Sequence, residues 1–212
     1  MALTLFGYRY SIYTRIVRLV LAEKRLRATL VEVNPFRPPL PAGFLALNPF
    51  GRVPVLQHGP FTIYETAVIC RYLDEALPGP ALQPEDPRDR ARMAQVVTIA
   101  DADGYRPLVR QVFAHRVFRA REGLPPDPAA IAEGLVAARP VLSALEAIAQ
   151  DGRVLGLRRI TLADLHLAAM IAAFAQAPEG ATLLADYPAL AGWWAAIAGR
   201  ASLRDTDPGL PG

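Results

Sequence analysis

Two stretches carry residue types that can do chemistry. In Asn48-Pro49-Phe50-Gly51-Arg52-Val53-Pro54-Val55-Leu56 a proline stands second in a strand-like run, and Glu65-Thr66 opens an apolar helical pattern soon after it. Proline donates no N–H, so it is normally kept out of a β-ladder. A cis bond before Pro54 would leave the N–H and C=O of Val53 free to pair with something outside the chain. A helix starting at Thr66 would offer unsatisfied N–H groups to a carboxylate. One small ligand could use both. Upstream, Tyr8, Tyr10, Ser11 and Tyr13 gather hydroxyls just before another apolar helical pattern. There a donating hydroxyl and the helix dipole together can favour an anion.

Other chemistries lack their residues. Cys70 is the single cysteine, which excludes an intrachain disulfide and any Cys-x-x-Cys redox or zinc site. It falls on an apolar helix face with Ile69 and Leu73, the place of a buried structural cysteine. His58, His115 and His166 are too widely spaced for a metal-ligand signature, and there is no Gly-rich phosphate loop. A net charge of +3 with a pI near 9.3 suits small anions but is too weak to indicate nucleic acid. The apolar runs fall short of a membrane span and no secretory signal opens the chain, so the expectation is a cytoplasmic protein. Lys24 is the single lysine, and the Arg-, Ala- and Pro-rich composition points to a GC-rich bacterial source.

The elements that must position these residues follow from hydrophobic period. Residues 2–6 predict a buried strand. Ile12 to Leu26 predicts a helix with Ile16, Val17, Leu19, Val20 and Leu21 inward, and with Arg15, Arg18, Glu23, Lys24 and Arg25 toward water. Strands are expected at 28–34, 53–57 and 60–63, the last two joined by a tight turn at His58-Gly59. A short helical piece near 42–47 and a helix from Glu65 to about Leu77 complete a mixed α/β unit. Four prolines between Pro78 and Pro87 then mark a linker. Beyond it everything reads as helix: roughly 88–120 with a kink at Pro107, 127–150 containing Pro140, a third helix starting at Thr161-Leu162-Ala163-Asp164, and a last one from Ala189 to Arg200. Residues 204–212 read as a loose tail. Domains are expected at 1–79 and 88–212, with 80–87 as linker.

The ordered set Asn48-Pro49-x-Gly51-x-Val53-Pro54-x-Leu56, Glu65-Thr66 and Tyr72-Leu73 resembles the N-terminal domain of the glutathione transferase family. Thr161-x-Ala163-Asp164 and Tyr187-Pro188-x-Leu190-x-x-Trp193 resemble that family's C-terminal domain, so the resemblance covers about 1–204. It implies a thioredoxin-like N-terminal domain followed by an all-helical C-terminal domain. It also implies glutathione and a small apolar electrophile as substrates, thiolate attack as the chemistry, a homodimer, and no metal or bound organic cofactor.

By the same resemblance, Val53 would pair with the cysteinyl residue of glutathione through its backbone, with Pro54 cis. Thr66, where the family usually has Ser, would take the γ-glutamyl carboxylate, and Glu65 the ammonium. Arg52, where the family often has Lys or Gln, would take the glycyl carboxylate, with Arg37 a weaker candidate. Ser11 falls where serine-type members carry the hydroxyl that activates the thiol, although Ile12 replaces the proline common after it; Tyr10 and Tyr13 compete for that role. Asp101 or Asp103 would reach the ligand's amine in the other subunit, and Tyr105 and Phe113 would line the electrophile pocket. The glutathione motifs leave open an isomerase, dehalogenase or peroxidase on the same scaffold. They also leave open a non-enzymatic interaction module, although such relatives often lose the glutathione contacts that are kept here.

Overall fold

A computed structural model describes residues 2–156 and 158–211. They form two compact units, one made of the chain up to Ala81 with Arg204–Pro208, the other containing Leu82–Leu203.

In the first unit, β1 (Leu3–Gly7), α1 (Ile12–Glu23), β2 (Thr29–Glu32), α2 (Phe44–Leu47), β3 (Val55–His58), β4 (Phe61–Tyr64) and α3 (Thr66–Ala76) follow in the expected order. The sheet runs β2-β1-β3-β4, with β1 parallel to β2 and antiparallel to β3, and β4 closing an antiparallel hairpin. This is the thioredoxin-like arrangement. Leu5 pairs in register with Leu56 and both are wholly buried. The apolar stripes of α1 (Ile16, Val17, Leu19, Val20) and α3 (Ile69, Cys70, Leu73) are buried as their period requires. Cys70 is thus part of the core.

Periodicity misplaces two charges of this stretch, Arg15 in α1 and Lys24 at its C-cap. Arg15 and Lys24 are not turned to water; they are only 4% and 3% exposed. Lys24 Nζ donates to Asp74 Oδ1 at 3.0 Å and to the Pro80 carbonyl at 3.2 Å. Arg15 lies 3.9 Å from Asp207. A buried charge is tolerated only when paired, and both partners lie far along the chain. The same contact corrects the tail: residues 204–208 belong to the sheet unit, and Thr206 is buried. The strand expected at 53–57 begins at Val55, so Pro54 precedes the ladder instead of interrupting it.

The second unit opens with α4 (Pro87–Ile99) and continues without a break through Ala100–Phe118 into α5 (Arg119–Arg121). Over Ala100–Phe118 the turns are wide, of π type, and Pro107 lies inside this segment where the sequence predicts a kink. α6 (Pro128–Asp151) packs on it closely: a Cβ on Gly134 would stand 2.7 Å from Gln111 Cβ and 3.2 Å from the Pro107 carbonyl oxygen. α4 and α6 start alike, with Pro at the first position and an aspartate cap: Asp86 accepts from the N–H groups of Arg88 and Asp89, Asp127 from those of Ala129 and Ala130. α7 (Leu162–Phe174) is buried along nearly its whole length. α8 (Pro178–Ala185), which the sequence does not announce, and α9 (Pro188–Ile197) follow, then the short α10 (Ala201–Asp205), whose last two residues already belong to the sheet unit.

Candidate active site

The turn before β3 is built from Asn48, which is 2% exposed. Its Nδ2 donates to the Arg52 carbonyl at 2.8 Å, its Oδ1 accepts from the Phe50 N–H at 3.1 Å, and its own carbonyl accepts from the Gly51 N–H at 3.0 Å. Gly51 turns at φ +62°, which a side chain would resist. Asn48 is therefore the turn former its residue type suggests, and it fixes the point at which Arg52 hands over to Val53. The Val53–Pro54 bond is cis, as is Pro38–Pro39. With the ladder starting only at Val55, the Val53 backbone has no hydrogen-bond partner among the described residues.

Glu65 sits between β4 and α3 at φ +73°, ψ +117°, a conformation uncommon for a residue with a side chain. Such geometry persists where the surroundings over-determine it, often at a binding site. Its side chain caps none of the first N–H groups of α3; the first ring closed is that of the Ile69 N–H on the Glu65 carbonyl. Thr66, the first residue of the helix, is buried. The first turn of α3 thus presents N–H groups and a positive dipole end with no acidic side chain upon them. Arg52 and Glu65, read from the sequence as contacts to opposite ends of a ligand, meet each other at 3.0 Å with both side chains exposed. Exposed pairs of this kind are worth about 1 kcal/mol at most, so ligand groups can replace either partner at small cost.

Ser11 is the N-cap of α1: its Oγ accepts from the Thr14 N–H at 3.3 Å. A hydroxyl that accepts in this way keeps its own hydrogen for another acceptor. The end of β1 lies hard against this turn, since a Cβ on Gly7 would come within 2.3 Å of Thr14 Cγ2. Tyr10, half-buried, has its ring centroid 5.5 Å from that of Tyr8 in edge contact, and Tyr8 in turn lies 6.1 Å from Phe36. Phe36 is 64% exposed. The sequence shows the tyrosines as hydroxyl donors and does not show this three-ring cluster; an aromatic in a proline-rich loop is its one local signal. Tyr13 follows Ile12 in the first turn of α1, half-buried. Arg37 is exposed in the same loop as Phe36, its N–H bonded to the Asn34 carbonyl.

Residues 5–81 match the family model of the glutathione S-transferase N-terminal domain, and residues 128–196 that of the C-terminal domain. Glutathione S-transferase F13 of Arabidopsis thaliana is 31% identical over 99% of this chain and 97% of its own length. The chain belongs to the glutathione S-transferase family. Among solved structures, glutathione S-transferase III in its apo form superposes with a TM-score of 0.83 at 29% identity, covering 97% of this chain and 95% of its own. A glutathione S-transferase from Rhodospirillum rubrum F11 does so with a TM-score of 0.81 at 28% identity, covering 96% and 91%.

The family's helical unit holds the remaining candidates. Asp101 Oδ1 lies 2.7 Å from Nε2 of His166, which is 1% exposed. Asp103 lines a groove with Arg106, Gln111 and Glu133, where Gln111 Nε2 donates to Glu133 at 2.6 Å. Tyr105 shares a hydrogen bond with Arg110, five residues on, the spacing that the wide turns favour over the four-residue spacing of an α-helix. Burial pushes the Tyr105 phenol up, and the Arg110 charge partly opposes this. Phe113 is buried, with its ring 6.2 Å from Phe118. The start of α7 is a closed network instead. Asp164 Oδ2 accepts from the Thr161 N–H (2.7 Å) and hydroxyl (2.6 Å), and Oδ1 from Trp193 Nε1 (2.8 Å). Among the described residues no group of three or more His, Cys, Asp or Glu could hold a metal ion, and no helix is long and apolar enough to cross a membrane.

Proposed function

We propose that this protein joins the thiolate of glutathione to a small apolar electrophile. Membership of the glutathione S-transferase family over the whole length of the chain makes it a glutathione transferase. The observation that carries the residue assignment is the uncapped start of α3 beside an exposed carboxylate, together with the unpartnered Val53 backbone. In this reading the Thr66 N–H and hydroxyl take the γ-glutamyl carboxylate and Glu65 the ammonium. Val53 pairs with the cysteinyl backbone ahead of Pro54, and Arg52 exchanges Glu65 for the glycyl carboxylate. Ser11 donates to the sulfur. A free thiol titrates near ~8.5, and each unit of depression is about 1.4 kcal/mol of differential stabilisation. The hydroxyl and the positive end of α1 supply that difference. The sulfur lone pair then attacks the electrophilic carbon, and the electron pair leaves with the displaced group.

The sheet unit is the glutathione-binding domain and the helical unit the electrophile domain. Tyr105 and Phe113 of the helical unit are the proposed electrophile contacts. No bound cofactor takes part. The protein works in the cytoplasm as a homodimer. Supporting this, Phe61 and Val68 are 47% and 48% exposed, and the Phe61 ring lies 5.1 Å from that of Tyr72, four residues along α3 from Val68. An apolar patch of this kind marks a contact surface. Asp101 or Asp103 is the proposed cross-subunit contact.

The decisive test is a thermal-shift titration followed by turnover of an activated aryl halide. Stabilisation at millimolar glutathione and conjugation at neutral pH are expected; no shift at all sinks the reading. Sedimentation of the wild type and of Phe61→Glu tests the dimer, which the charge should split.

A further inference from the structure

A cavity of about 220 Å³ opens on the sheet unit where α1, β1 and β2 meet the 207–208 segment. None of the residues assigned to glutathione lines it. Its polar wall is made by Arg9, Thr14, Arg18, Glu32 and Asp207, and Leu30, 57% exposed on the edge strand, gives it an apolar side.

The charges here are unevenly matched. The Asp207 carboxylate faces Arg15, and Glu32 accepts the backbone N–H of Arg9 at 3.1 Å. The guanidiniums of Arg9 and Arg18 have neither a hydrogen bond nor an ion pair among the described residues; that of Arg9 rests over the Tyr10 ring at 5.3 Å. Burial and then the charge of Arg9 push the Arg18 pKa down, with Glu32 opposing. Burial likewise lowers that of Arg15; Asp207 raises it and Arg18 lowers it further. Thr14, 4% exposed, stands in the same wall with a buried hydroxyl that has no partner. Like charges side by side and an unsatisfied buried hydroxyl both cost stability. An anion placed between the arginines would relieve the repulsion and add charge-assisted hydrogen bonds.

We propose that this cavity binds a small organic phosphate, a monoester whose dianionic head lies between Arg9 and Arg18 and whose compact apolar group lies against Leu30. Two guanidiniums without a hydrogen bond or ion pair among the described residues match two negative charges, and the planar fork of arginine fits phosphate oxygens two at a time. The volume is below the roughly 300–1,000 Å³ usual for larger ligands, which restricts the apolar group to about a single ring. The proposal does not depend on the glutathione reading.

The test is calorimetric titration of the full-length protein with phenyl phosphate, with and without saturating glutathione. Saturable one-to-one binding is expected, unaffected by glutathione and weakened by salt. Inorganic phosphate and benzyl alcohol should each bind less tightly, because each lacks one half of the match. Arg9→Gln and Arg18→Gln should each weaken binding by roughly tenfold. Each should also hold or raise Tm, since each removes a like-charge neighbour, and a purely structural arginine would do the opposite. The proposal is overturned by a lack of saturation at millimolar ligand, by undiminished binding in both variants, or by displacement with glutathione, which would put the phosphate in the glutathione site. Benzoate binding more tightly than phenyl phosphate, or inorganic phosphate binding as tightly, would overturn the assignment to an organic phosphate.

Discussion

The starts of α3 and α7 use similar residues for opposite ends. α3 begins at Glu65-Thr66 and α7 at Thr161 with Asp164 three residues later. Around α7 both carboxylate oxygens are taken, by the Thr161 N–H and hydroxyl and by the Trp193 indole, and Asp164 is wholly buried. Burial still pushes its pKa up against those donors. Around α3 the carboxylate is exposed, the helix N–H groups are not capped by it, and its one ion pair is a surface pair with Arg52. An acid and a threonine at a helix start therefore do not identify a binding site by type. What separates the two is whether a side chain of the fold satisfies the helix end or leaves it uncapped.

The contrast breaks most sharply at Asp164. Asp164→Ala orphans three buried donors, each worth roughly 1–3 kcal/mol, so a loss of about 3 kcal/mol or more in denaturant unfolding is expected. A change below about 1 kcal/mol would mean the α7 network is not the structural cap described. Glu65→Gln should do the reverse. The unfolding midpoint should stay close to wild type, while glutathione affinity measured by calorimetry falls roughly tenfold to a hundredfold, because a charge-assisted contact to the ammonium is lost. Thr66→Val tests the hydroxyl alone, with an expected loss of about tenfold in affinity and no loss of fold. Equal damage to stability in either variant would erase the distinction between the two helix starts.

Ser11→Ala sharpens it at a third helix start. The bound thiol should titrate about one unit higher by ultraviolet absorbance, some 1.4 kcal/mol, and the rise of kcat/KM with pH should move with it. An unchanged thiol pKa would transfer the role to Tyr10 or Tyr13. The smallest effect is expected at Arg52→Gln. Removing one partner of an exposed pair should leave Tm unchanged and weaken glutathione binding by less than tenfold, about 1 kcal/mol.

Much of the sheet unit was legible because its signals are local. The stripe Ile16, Val17, Leu19, Val20 announces α1, the alternation around Val31 and Val33 announces β2, and the Asn48–Pro54 turn carries its chemistry within seven residues. The α3 start could be read for the same reason: Glu65 and Thr66 are adjacent. The helical unit was harder. Its helices are read from composition, and an Ala-rich stretch with prolines at 178 and 188 did not declare a boundary between α8 and α9. Pro107 flagged an irregularity whose form, a long wide-turn segment that brings Tyr105 to Arg110, no α-helical period predicts. The Glu146 carboxylate, which accepts the Ala189 and Leu190 N–H groups at the start of α9, gives no sign of that role in its own neighbourhood.

By itself the sequence determined the order of the elements, the division into a mixed α/β part and a helical part, and the residue types of the proposed glutathione grip, since these depend on neighbours a few positions away. Only the tertiary structure decided which charges are spent. Lys24 is buried because Asp74 stands opposite it, 50 residues on; Asp101 is held by His166, 65 residues on; Arg15 meets Asp207, while the guanidiniums of Arg9 and Arg18 form no ion pair among the described residues. A charge is stabilised or left over by what the fold brings within a few ångströms of it, and separations of that length leave no trace in a local pattern.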